Sequence, residues 1–339
     1  MEDLIQLANT IVADGKGILA ADESTPTCTK RFESIGVEST EVSRNAYRDM
    51  LFSAKGLESY ISGVIMFDET LRQSSLADGT LFPEYLNGKG VLPGIKVDTG
   101  AKALPGHDGE KVTEGLDGLR ERLAEYNDLG AKFAKWRAVI TIGEDIPSRA
   151  CIEANAHALA RYAALCQEVG IVPIVEPEVL MDGDHTIDDC FVETEETLQV
   201  VFEELFKQGV LLEGIILKPN MIISALDCPE QASVEEVAEA TVECFLRVVP
   251  AAVPGICFLS GGQSDLVATQ HLKAMNALGV DLPWRLSFSY GRALQAAALK
   301  AWSGDAAKVS AAQQVFLHRA KCNGAAAMGK YNEEMEASD

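Results

Sequence analysis

Eight short runs of apolar and β-branched residues punctuate the chain, their starts 30 to 44 residues apart. They cover residues 17–22, 61–67, 94–98, 133–140, 172–179, 214–220, 255–262 and 285–293. Runs of this length and composition read as buried strands. Between most of them lies a stretch with helical period, which is the crossover a strand needs if the next is to run parallel to it. Helices are expected at 113–129, 150–169, 194–208 and 264–278. Each is followed by a glycine (Gly130, Gly170, Gly209, Gly279), the usual stop, because glycine takes a left-handed backbone without a Cβ clash. Ser233 with Glu236 forms a capping-box signal opening a helix at 234–249. Eight such alternations place the chain in the α/β class as a (β/α)8 barrel, in preference to an open doubly wound sheet. No Pro/Gly/Ser-rich linker interrupts it. Residues 1–330 read as one barrel domain, and 331–339 (YNEEMEASD) as an acidic, flexible tail.

The strands carry charge where a barrel wall should be apolar. Asp22 ends GILAAD, Lys96 sits in GIKVD beside Asp98, and Lys218 sits in GIILKPN. Residues at i and i+2 share a strand face, so Lys135 and Arg137 point together, as do Glu176 and Glu178. All lie towards the C-terminal halves of their strands, the end at which (β/α)8 barrels carry their sites. For one such residue alone, a structural ion pair is the simpler reading. For five strands delivering charge to one end, the cost of unpaired buried charge argues for a site.

A buried lysine suggests a particular chemistry. Only a neutral amine attacks a carbonyl, and a free lysine, with a pKa near about 10.4, is almost wholly protonated at pH 7. Apolar burial and a neighbouring cation favour the neutral form. Lys218, flanked by Ile215, Ile216, Leu217 and Pro219, is the candidate nucleophile, and Lys135 the candidate neighbour. The competing reading pairs Lys218 with Glu176 or Glu178 in a buried salt bridge. Two glycine turns add an anion site. Ser260-Gly261-Gly262 follows the seventh strand and Ser289-Tyr290-Gly291-Arg292 the eighth, where barrels of this kind bind phosphate on backbone N–H groups. Arg292 can grip such a group with two N–H donors.

Composition excludes other classes. The formal net charge is −22, which opposes nucleic acid and anionic membranes as partners. Any phosphate site must then be a local basic mouth, expected from Lys96, Lys135, Arg137, Lys218 and Arg292. The five histidines show no metal-ligand spacing and the eight cysteines no C-x-x-C pair, so neither metal nor cofactor is expected, and the thiols read as reduced and buried. The N-terminus lacks the basic and apolar regions of a secretory signal, and no run reaches the roughly 20 apolar residues of a membrane span. The default compartment is the cytoplasm, although a plastid form shorn of its transit peptide would read the same.

The blocks GILAADES, GIKVD, FAKWR, PIVEPE, LLEGIILKPN, FLSGGQS and LSFSYGRALQ, in order from residue 17 to about 300, resemble class I fructose-1,6-bisphosphate aldolase. The resemblance implies a barrel that splits fructose 1,6-bisphosphate reversibly into dihydroxyacetone phosphate and glyceraldehyde 3-phosphate through a lysine Schiff base, without metal, and commonly as a homotetramer. It assigns the Schiff base to Lys218 and proton transfer to Glu176. Lys135 would stabilise the carbinolamine, Asp22 would position hydroxyls, and Glu178 would support them. Arg137 and Lys96 become pocket cations. Ser260, Gly261, Gly262, Ser289, Gly291 and Arg292 form the C1-phosphate site, and Ser24 and Arg31 contact the other phosphate end.

The chain departs from the family pattern in three places. It reads AADESTPT at 20–27 where relatives read AADESTGS, and it has Arg72 where many carry tyrosine. It closes on EMEASD where relatives carry a terminal tyrosine. The second phosphate contact and the preference for bisphosphate over fructose 1-phosphate are the properties these changes would alter. The rival readings are another Schiff-base barrel, of transaldolase or deoxyribose-phosphate aldolase type, and a catalytically idle barrel serving as a scaffold. The paired phosphate equipment and the KWR and VEPE blocks stand against the first. The presence of Asp22, Lys135, Glu176 and Lys218 together stands against the second.

Overall fold

A computed structural model describes residues 1–337. Eight parallel strands close into a barrel: β1 (Gly17–Ala21), β2 (Ile61–Met66), β3 (Leu92–Lys96), β4 (Phe133–Ile140), β5 (Val172–Val179), β6 (Ile216–Leu217), β7 (Gly255–Phe258) and β8 (Arg285–Tyr290), with β8 pairing back onto β1. This is the expected (β/α)8 fold, formed as a single domain, and it displaces the open-sheet alternative. Helices such as Arg149–Glu168, Ile187–Lys207 and Val234–Val248 wrap the outside.

The two-residue period of the strands explains how one barrel interior serves two purposes. Ile18 and Ala20 on β1, Ile65 on β2, Phe133 on β4, Val172 and Ile174 on β5, Ile216 on β6 and Cys257 on β7 form one buried cluster that plugs the lower barrel. Phe133 dominates it. A Cβ on Gly94 would lie 2.2 Å from its ring and one on Gly63 2.7 Å, so both positions need glycine to admit it. Two residues further along the same faces come Asp22, Lys135, Glu176 and Lys218. The inward register that fills the floor with hydrocarbon therefore carries the charges to the C-terminal rim.

Several expected boundaries shift. β1 and β6 end just before Asp22 and Lys218, whereas Lys96, Lys135, Arg137, Glu176 and Glu178 lie within their strands. Even so, Lys218 still donates its backbone N–H to Val175 at 2.8 Å. Residues 113–118 are not helical. Lys111–Glu114 pairs antiparallel with Gly100–Ala103 as a hairpin over the rim, and the helix is Leu119–Asp128. Gly115 (φ +129°) and Gly118 (φ +65°) interrupt the helical pattern, while Thr113 is tied to Arg137 O and Asn155 Oδ1. The helix expected from 194 begins at Ile187, where Thr186 and Asp189 form a capping box that the apolar period did not reveal. The Ser233–Glu236 box and the four glycine stops, all at positive φ, form as expected.

Towards the C-terminus, Tyr331 is buried and donates to Glu336, whose two oxygens accept from Arg319 at 2.8 and 2.6 Å. Residues 338 and 339 of the expected tail lie outside the described residues. No helix among the described residues is long and apolar enough to cross a membrane.

Candidate active site

The C-terminal rim encloses a cavity of about 580 Å³, and every residue singled out from the sequence lines it. At its base the β1, β4, β5 and β6 ends bring four groups together. Glu176 bridges two lysines: Oε1 lies 3.0 Å from Lys218 Nζ and Oε2 lies 3.1 Å from Lys135 Nζ. Lys135 Nζ also sits 2.6 Å from Asp22 Oδ2. The salt bridge weighed from the sequence is thus present, on Glu176 and not on Glu178. Lys218, Lys135 and Glu176 are 3 to 4% exposed. Glu178 instead holds Arg137, and Lys96 pairs with Asp98 at 2.7 Å.

The electrostatics follow from this packing. Burial would raise the Asp22 carboxyl, but the Lys135 and Lys218 cations outweigh it and hold Asp22 well below the usual carboxylate range. Burial would likewise raise Glu176, and Lys135, Lys218 and Arg137 together hold it low. For Lys135, burial opposes the charge, while Asp22 and Glu176 reverse the balance and keep it an ammonium.

These shifts set the acid behaviour of the fold. A carboxylate depressed in the folded state adds stability that is complete above its unfolded value and is lost as the pH falls below it. For Asp22 the ordinary value is 3.8. Urea unfolding from pH 7 down to 3 should therefore give a midpoint that falls more steeply for the wild type than for Asp22→Asn. Parallel curves would show that the Asp22–Lys135 pair adds nothing.

The anion cradle lies across the cavity. Gly261 (φ +58°) and Gly262 (φ +110°) adopt a backbone that L side chains rarely take, and a Cβ on Gly261 would meet Met181 at 2.8 Å. Two helices start here: Asp265–Asn276, capped by Ser264, and Arg292–Trp302, which follows Gly291 directly. Their free N–H groups favour an anion. Ser289 Oγ is buried there with no hydrogen-bond partner among the described residues. The Arg292 guanidinium lies against Gly262, and Arg31 Nη2 lies 3.8 Å from where a Gly291 Cβ would sit. Arg31, linked on the sequence to the far phosphate, therefore stands beside the turn after β8, and Ser24 and Thr27 line the same cavity.

The mouth is not basic as expected. Its lining cations are Arg31, Lys96, Lys135, Arg137, Lys218 and Arg292, and its carboxylates are Asp22, Glu23, Asp98, Glu176, Glu178 and Asp182. The two sets balance, and each of these cations except Arg292 is within ion-pair distance of a carboxylate. Sequence reasoning overlooked Glu23 and Asp182. Glu23 had a visible signal, a second acid directly after Asp22 at a strand end. One group of donor side chains among the described residues is close enough to hold a metal, His318, Cys322 and Glu336, and none of the three lines this cavity.

Comparisons agree with this arrangement. The glycolytic family model for class I fructose-bisphosphate aldolase matches residues 3–339. A probable class 1 fructose-bisphosphate aldolase of Xanthomonas campestris is 60% identical over 332 residues, covering 98% of this chain and 99% of that one. The cytosolic fructose-bisphosphate aldolase 5 of Arabidopsis thaliana is 54% identical over 330 residues, covering 97% and 92%. The Plasmodium falciparum fructose-bisphosphate aldolase, solved with TRAP and a small-molecule inhibitor, superposes with a TM-score of 0.95 at 49% identity, covering 98% of this chain and 95% of that one. A closed barrel, a rim that gathers two lysines around one glutamate, and a match along almost the whole length make this chain a member of the class I fructose-bisphosphate aldolase family, the metal-independent lyases.

Proposed function

We propose that Lys218 is the covalent residue of this aldolase, served by Glu176, Lys135 and Asp22. The reaction is the reversible cleavage of fructose 1,6-bisphosphate to dihydroxyacetone phosphate and glyceraldehyde 3-phosphate through a lysine Schiff base. The single observation that carries the assignment is the Glu176 carboxylate bridging the two lysine Nζ atoms. Lys218 passes a proton to Oε1, 3.0 Å away, and its free amine attacks the ketone carbon. Glu176 returns the proton to the carbinolamine hydroxyl as water leaves. Lys135, held as an ammonium, stabilises the oxygen on which charge gathers. The resulting iminium draws electrons from the C3–C4 bond as Glu176 takes the C4 hydroxyl proton. Asp22 orients the hydroxyls, and Glu178 holds Arg137 in place. One phosphate sits on Ser260, Gly261, Gly262, Ser289, Gly291 and Arg292. Lys96, Arg137, Ser24 and Arg31 serve the rest of the substrate's charge.

The test is chemical trapping. Protein mixed with dihydroxyacetone phosphate and borohydride should gain one reduced adduct, located on Lys218 by peptide mass spectrometry. No adduct, or one on Lys135, sinks the assignment.

We further infer a homotetramer, as is common in the family, working in the cytoplasm like its cytosolic plant relative. Phe206 (83% exposed) and Val192 (56%) on one helix, with Leu246 (48%) on the next, are apolar surface of the kind subunit contacts cover. Light scattering on the eluting protein should read four chains, and a monomer mass would refute the tetramer.

A further inference from the structure

A phosphate monoester brings about two negative charges into a mouth whose cations are nearly all engaged. Arg31 reaches the cradle beside Gly291, but its Nη1 is held by Glu23. To bind an anion, Arg31 has to release that carboxylate. The Glu23 side chain is 5% exposed, and a carboxylate buried to that degree is costly to leave alone.

The far side of Glu23 supplies the remedy. Arg48, from the helix Glu41–Phe52, places Nη2 2.6 Å from Glu23 Oε2, and its side chain is 3% exposed. Its Nη1 is buried with no hydrogen-bond partner among the described residues. Gln295 Nε2 donates to Glu23 Oε1 at 3.2 Å and to Ala20 O at 2.6 Å, and Gln295 Oε1 accepts from Tyr47 O–H at 2.9 Å, which fixes the carboxylate from a third side. One acid thus holds two arginines. The cluster has one positive charge in excess, and Arg31 carries it to the cavity wall.

We propose that Arg48 is a positioning residue for phosphate binding. It stays with Glu23 throughout, so that Arg31 exchanges the carboxylate for a substrate phosphate without stranding a buried anion. The inference rests on the reading of Arg31 as a phosphate contact. The ligand class is a phosphate monoester, part of whose negative charge the three-residue cluster offsets. Without Arg48, Glu23 would have Arg31 as its sole cation and retain it against the substrate.

Steady-state kinetics with fructose 1,6-bisphosphate test this. In Arg48→Met, KM should rise about tenfold with kcat changed less than about twofold. Adding Glu23→Gln removes the competing acid and should bring KM back to within about threefold of wild type. A merely structural loss would lower kcat and the melting temperature along with the rise in KM. Arg31→Ala should raise KM alone, and Arg48→Met should add nothing to it. An unchanged KM in Arg31→Ala defeats the phosphate-contact reading and this inference with it. A raised KM there with no effect of Arg48→Met, or no rescue by Glu23→Gln, defeats the inference alone. Should Arg48→Met not fold, the wild-type protein crystallised with inorganic phosphate decides the matter. Arg31 should then face phosphate with Glu23 still on Arg48. Glu23 leaving Arg48, or keeping Arg31, overturns the proposal.

Discussion

Lys218→Met is expected to lose turnover by at least about 10⁴-fold and to lose the borohydride adduct entirely, with the fold intact. Methionine matches most of the aliphatic length of lysine, so the buried position stays filled. Glu176 loses one of two cations but retains Lys135 at 3.1 Å, so no buried carboxylate is stranded. The test pairs the rate with peptide mapping after reduction. Activity above that level in Lys218→Met, or an adduct elsewhere in the chain, would move the covalent chemistry off β6.

Glu176→Gln should behave differently. It removes the proton carrier and also the shared counter-ion of two buried ammonium groups, so both rate and stability suffer. A positioned general base is worth about 10² to 10⁴ in rate, and kcat should fall within that range. Lys218 survives, so the adduct with dihydroxyacetone phosphate should still form, only more slowly. Time-resolved trapping separates the two variants. An adduct appearing at the wild-type rate in Glu176→Gln would mean that another group moves the proton. The melting temperature should also drop, because Lys218 loses its carboxylate and Lys135 keeps Asp22 alone.

Much of this site was legible in the sequence because strands have a period of two. Lys135 with Arg137 and Glu176 with Glu178 had to share faces once their segments were strands, and charge within apolar runs marked the rim. Periodicity could not show which carboxylate each cation would choose. Lys135 took Asp22 and Glu176, Arg137 took Glu178, and Lys96 took its neighbour Asp98, so a mouth counted as basic is balanced. Apart from Lys96 with Asp98, two residues on, those pairings depend on distances between strands that no local pattern encodes. Arg48 was hidden for a related reason: on a helix between two strands it reads as a solvated charge, and its burial follows from the tertiary packing that brings it to Glu23. The hairpin at 100–114 escaped because Thr113 and Val112 fit either period, and the decision falls to Gly115 and Gly118.

The layering of the barrel interior has a consequence for how such a chain can change over time. Phe133 and its neighbours pack six of the strands together from below, while the chemistry occupies a separate storey above. Substitutions more than about 10 Å apart in the two storeys should have largely additive effects. Rim changes that keep the ion pairs of Lys135, Lys218 and Glu176 can then alter substrate preference at little cost in stability.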